Sequence, residues 1–175
     1  ATAYIDGSSF YGNTGGAVGD IYSTGSSIIN LNNVTCDGSV MTFRSNANIH
    51  NSTISKGFYS WYPSLYLDGY RNIDNSLISE FVKNDSLGDP NLNIQYCIIS
   101  NKLFGTSLYD TISVAIPELE FLLDSISDNG GPTPTMKLKN IPGNYALNYG
   151  NPMYLDSTDQ RGAIRANFVS IGAYQ

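Results

Sequence analysis

The sequence predicts an all-β chain wound as a right-handed parallel β-helix, a single-stranded solenoid closed by an irregular C-terminal cap with one short helix. Three observations predict it. A six-residue phrase, reading apolar, polar, small or Asn, small, any, apolar, is written five times: Ile5–Phe10, Leu31–Cys36, Ile49–Ile54, Ile73–Ile78 and Ile94–Ile99. The first residues of successive copies lie 26, 18, 24 and 21 positions apart. Recurrence near twenty residues marks a solenoid, in which each unit buries its apolar side only against its neighbours. The copies are also rich in Ile, Thr, Ser and Asn and are broken at turn positions by Gly and Asn, as short strands are and helical pairs are not.

On this reading each copy supplies one strand, stacked about 4.8 Å from the next. The leading residues Ile5, Leu31, Ile49, Ile73 and Ile94 form one interior column, and Asp6, Asn32, His50, Asp74 and Gln95 an outward row. The third position is Asn33, Asn51 and Asn75 in the middle copies, which predicts an amide ladder along the stack. The coils are expected over residues 1–103 and the cap over 104–175. A strand-like copy within the first ten residues leads us to expect earlier coils upstream, since an open solenoid end exposes apolar side chains.

Bulk composition fits an extracellular β-protein. The 175 residues are enough for one domain with a core; only 14% are charged, and Gly (17) and Tyr (13) are frequent. A net charge of -6 with nine scattered Lys and Arg excludes a nucleic-acid partner. No apolar run reaches the roughly eighteen residues of a membrane span, and residue 1 opens no leader peptide. Cys36 and Cys97 fall three coils apart, roughly 14 Å, too far for a disulfide, so both are expected as buried thiols. One His and no close Cys pair give no metal site. No cofactor is expected.

Between the copies, Phe10-Tyr11-Gly12-Asn13 and Gly15-Gly16-Ala17-Val18 match F-x-x-N and G-G-A-[ILV]. In this the chain resembles the repeats of polymorphic outer membrane proteins and related bacterial adhesins. The long third coil carries Phe58, Tyr59, Trp61, Tyr62, Tyr66 and Tyr70 with Asp68 and Arg71. Aromatic faces beside a few polar groups suit a sugar ring, which makes Trp61, Tyr62, Tyr66, Asp68, Tyr70 and Arg71 the candidate ligand-binding set; packing of the Tyr residues over a loop, with Leu65 and Leu67 inward, is the more ordinary reading of the same residues. Asp85 and Asp89 in the polar loop 83–90 read as solvated turn carboxylates rather than cation ligands.

After residue 104 the phrase stops. Pro117-Glu118-Leu119-Glu120-Phe121-Leu122-Leu123 reads as a short helix whose apolar face, Leu119, Leu122, Leu123 and Ile126, closes the last coil after Ile99. Four motifs follow in order: Asp128-Asn129-Gly130-Gly131-Pro132-Thr133-Pro134-Thr135, Pro142-Gly143, Thr158-Asp159-Gln160-Arg161-Gly162 and Ile171-Gly172-Ala173-Tyr174. Residues 118–175 thereby resemble the choice-of-anchor Q domain, found at the ends of bacterial β-helix surface proteins. The resemblance implies a secreted bacterial protein with an anchoring signal beyond Gln175, and no catalytic residues. Two departures stand out: Leu147-Asn148-Tyr149-Gly150-Asn151 replaces I-D-A-G-D, and the ending Ser170–Gln175 lacks the usual acids. Asp159 and Arg161 remain, and read as a structural ion pair.

Two function classes follow. One is a non-catalytic surface stalk or adhesin segment, with a polysaccharide or other cell-surface ligand as partner. The other is a polysaccharide lyase or glycosidase; Ca²⁺, which such a lyase often uses, has no supporting ligand set here. The outward row holds no paired acids, and its one acid–base candidate is His50 beside Asp74.

Overall fold

The computed structural model describes residues 1–13, 19–61, 70–84, 91–100, 108–109, 112–114 and 120–175. The fold is all-β and almost wholly parallel. Strands β1 (Thr2–Asp6), β4 (Ile28–Asn32), β7 (Asn46–His50), β10 (Arg71–Asp74), β13 (Leu92–Gln95) and β15 (Leu108–Tyr109) form one sheet in that order. A second sheet runs β2 (Ser9–Phe10), β5 (Thr35–Cys36), β8 (Thr53–Ile54), β11 (Leu77–Ile78), β14 (Ile98–Ser100) and β16 (Ile112–Val114). The third is β3 (Ile21–Thr24), β6 (Ser39–Phe43), β9 (Gly57–Trp61) and β12 (Phe81–Asn84).

Each copy of the sequence phrase therefore holds two strands, not the one expected. Its first two residues end a strand of the first sheet, and its last two make a strand of the second. Between them the chain turns at Gly7, Asn33, Asn51, Asn75 or Tyr96, all with φ between 49° and 56°. Gly and Asn enter that left-handed region at least cost, which is why the third position is so restricted. Strand stacking also runs past residue 103, through β15 and β16 to Val114.

Register follows the phrase. Ile5, Leu31, Ile49, Ile73 and Ile94 are paired in one column, and the last four are buried. They join Ile21, Val40 and Phe58 of the third sheet and Cys36, Ile54, Ile78 and Ile99 of the second in one core cluster enclosed by the three sheets. Both cysteines are free and buried. The expected Asn ladder holds in part. Asn75 Nδ2 donates to Asn51 Oδ1 at 2.8 Å, but Asn51 then donates to Asn32 Oδ1 at 3.0 Å and Asn32 to Asp6 Oδ1 at 3.1 Å. Asn33 leaves the line, and its Oδ1 accepts from Arg165 Nη2 at 3.4 Å.

Residues 120–175 lie along the outer face of the second sheet. That face is the column Ser9, Thr35, Thr53, Leu77 and Ile98, which changes from hydroxyl to aliphatic along the stack. The tail matches the change. Gln160 meets Ser9 and Thr35, the backbone N–H of Ala173 donates to Thr53 Oγ1, and Leu122, Leu123, Met136, Leu138 and Ile171 pack with Leu77 and Ile98 as a second core. This corrects the expected role of the helix. Leu122 and Leu123 cover Ile98, on the outer face, and not the interior column that contains Ile99. Only residues 120–122 are helical among those described there, because Leu123 and Ser127 are taken into antiparallel bridges with Leu138 and Thr135. Phe121 is 66% exposed and contributes nothing to closure, and Leu119 lies outside the described residues. Pro152–Tyr154 form a single 3-10 turn capped by Asn151.

Candidate functional site

His50 ends β7 and Asp74 ends β10, and parallel pairing sets them side by side, as the outward row predicts. The tail brings two further groups. Asn151 Nδ2 donates to both oxygens of Asp74, at 3.1 and 2.9 Å. Tyr154 Oη lies 3.1 Å from Asp74 Oδ2 and 3.1 Å from His50 Nδ1. A tyrosine hydroxyl has one proton to give, and the carboxylate is the stronger acceptor. His50 Nδ1 must then carry the proton that reaches the tyrosine oxygen, which leaves Nε2 as an acceptor. Among the described residues that Nε2 has no hydrogen-bond partner, and it is not sealed from solvent.

Burial shapes the charges. It pushes the His50 pKa below the usual 6.5, with Asp74 pulling the other way, so the imidazole is neutral near pH 7. Burial also raises Asp74, against the opposing bonds from Asn151 and Tyr154 and the nearby His50. The Tyr154 hydroxyl is raised by burial first and by Asp74 second, and stays protonated. The cluster thus holds a neutral, oriented imidazole with its free nitrogen outward. A carboxylate in place of Asn151 would face Asp74 and repel it, whereas the amide donates to both its oxygens.

The tail is fastened by a second set of buried polar groups. Arg165 is fully buried, donating to Ser170 O at 3.1 Å and Gly172 O at 2.8 Å as well as to Asn33, and desolvation lowers its pKa to about 10. Gln160 Oε1 accepts from Thr35 Oγ1 at 2.6 Å, while its Nε2 donates to Ser9 Oγ at 2.8 Å and Ser8 O at 3.1 Å. Asp159 and Arg161 form the expected ion pair at 2.7 Å, with the guanidinium 3.9 Å over the Tyr174 ring. These partners were not found from sequence, since nothing local relates a tail glutamine to a serine 151 residues away.

Of the predicted sugar-contact set, Tyr62, Tyr66 and Asp68 lie outside the described residues, as do Asp85 and Asp89. Trp61 ends β9. Tyr70 is half-buried, with its N–H bonded to Asn46 Oδ1 at 2.9 Å, and Arg71 is buried in β10 on the inner side of the first sheet. A groove of about 510 Å³ lies between the far ends of the second-sheet strands and the tail, with Asp37, Lys56, Glu120 and Asp124 in its walls and Leu123 and Met136 among its lining. Among the described residues no three His, Cys, Asp or Glu side chains converge as a metal ion would require, and no helix is long and apolar enough to cross a membrane. No known protein family, no curated protein and no solved structure matches the chain.

Proposed function

We propose that the chain is a right-handed parallel β-helix segment of a secreted or cell-surface bacterial protein, acting as a non-catalytic stalk or adhesin segment. Its last part would then be an end domain of the choice-of-anchor Q type, with an anchoring signal expected beyond Gln175. The observation that carries the reading is the continuous parallel register of strands from Thr2 to Val114, with the tail fastened along one flank. Such an arrangement supplies length and stiffness, and it engages Asn151, Asp159, Gln160 and Arg165 of the tail in internal bonds. Antibody labelling of intact host cells tests the proposal. Surface signal that is removed by added protease supports it, and protein found only inside unbroken cells contradicts it.

A second reading, a polysaccharide lyase or glycosidase, is favoured by one observation, the oriented neutral His50 with an outward Nε2. A glycosidase needs a second carboxylate facing Asp74 across a substrate, and among the described residues the first sheet's outward row offers only Asp6, three layers away. The stalk reading therefore stands first.

A further inference from the structure

The outer face of the first sheet carries a second line of amides that the phrase does not include. Asn30, Asn48 and Asn72 each precede the leading residue of a copy and are paired in register. Asn72 Nδ2 donates to Asn48 Oδ1 at 2.9 Å, Asn48 to Asn30 Oδ1 at 2.8 Å, and Asn30 to Ala3 O at 3.1 Å. Each amide nitrogen spends one of its two protons along this line, so the other remains for a partner, and each carbonyl oxygen keeps a second lone pair. The same row begins at Tyr4, whose ring is 81% exposed beside Asn30. The adjoining row is Asp6, Asn32, His50, Asp74 and Gln95, in which Asp6 accepts from Asn32 and Asp74 is held by Asn151 and Tyr154.

From this face we infer a binding site for a neutral, hydroxyl-rich glycan chain laid across the strands, with Tyr4 stacking on one sugar ring. The Asn30–Asn48–Asn72 amides, together with His50 Nε2, bond its hydroxyls. Amides offer donors and acceptors in alternation about every 4.8 Å, and hydroxyls demand both. Neither row contains Lys or Arg, and the chain carries -6, so a polyanion is repelled and an uncharged polymer is not. The amides are fixed by strand backbone and by one another, so little side-chain freedom is lost on binding. The inference rests on the surface-protein reading for its setting and on the face alone for its chemistry.

The test is an NMR titration of the purified full chain with three neutral probes, the hexasaccharides of cellulose, xylan and mannan, and with a polygalacturonate hexamer as the charged control. The expected result is binding of at least one neutral probe, with shifts at the Asn30, Asn48 and Asn72 side-chain amides. Tyr4→Ala should weaken it about tenfold, Asn48→Ala should weaken it further, and Phe121→Ala, at an exposed ring of the tail, should leave it unchanged. Thermal melts of each variant confirm folding. No binding of any neutral probe, preference for polygalacturonate, or loss through Phe121→Ala with Tyr4→Ala silent would overturn the inference. Any of these leaves the cell-labelling result untouched, so the two readings fail separately.

Discussion

The hydroxyl of Thr35 donates to Gln160 Oε1 at 2.6 Å across 125 residues of sequence, and both side chains are buried. This bond fastens the tail to the second layer of strands. Gln160→Leu would leave the Thr35 hydroxyl and the Ser8 carbonyl without that partner inside the interface. We expect a loss of about 2 to 4 kcal/mol, read as a lower urea midpoint with unchanged slope. An unchanged midpoint would mean that the tail is not seated on Thr35.

Gly150 gives a steric test of the same interface. A Cβ there would press on Asn75 Oδ1 and come 2.8 Å from both Ser170 O and Val169 Cγ1. Gly150→Ala should therefore destabilise by roughly 1 to 3 kcal/mol, although alanine ordinarily stiffens a chain favourably. Thermal denaturation of the variant decides it.

Apolar packing of the tail should show at Leu122. It is 5% exposed and packs in the cluster with Leu77 and Ile98, so Leu122→Ala should cost about 2 to 5 kcal/mol, whereas Phe121→Ala should cost little. The contrast between neighbours matters more than either value. Equal losses at both positions would contradict the packing described.

The His50–Asp74 pair makes stability depend on pH in two opposing steps. Burial holds His50 below 6.5, so its contribution is present above pH 6.5 and is lost as pH falls through that value toward the folded pKa. Asp74 is raised above 3.8, so the folded state takes up its proton first, and stability is regained as pH falls through the folded value toward 3.8. His50→Gln should remove the first step and Asp74→Asn the second. Melting temperatures between pH 8 and pH 3 measure both.

The sequence phrase made the interior column legible because Ile5, Leu31, Ile49, Ile73 and Ile94 obey one spacing and one burial demand. The third position predicts an amide ladder, whereas what Gly7, Asn33, Asn51 and Asn75 share, with Tyr96, is a left-handed turn, and only part of the ladder forms. The second strand was missed because in the middle copies both its residues are buried, as at Thr35–Cys36 and Leu77–Ile78, and alternation is the signal by which a half-buried strand is read. The His50–Asp74 neighbourhood was legible from register alone. Tyr154 and Asn151 were not, because their placement depends on a tail that crosses back over the sheet after some eighty residues. The Asn30–Asn48–Asn72 line did have a signal, an Asn immediately before the leading apolar residue, one position outside the phrase.

The central claim is that the tail lies along the flank of the stacked parallel strands. Nuclear Overhauser contacts from the Gln160 side-chain amide protons, in an isotopically labelled full chain, test it most directly. The account predicts contacts to Ser8, Ser9 and Thr133, which lie within hydrogen-bonding distance of Gln160 Nε2, together with contacts between the Gly172 N–H and Asn75. Random-coil shifts over residues 120–175, or Gln160 contacts confined to its own neighbours in sequence, would contradict it.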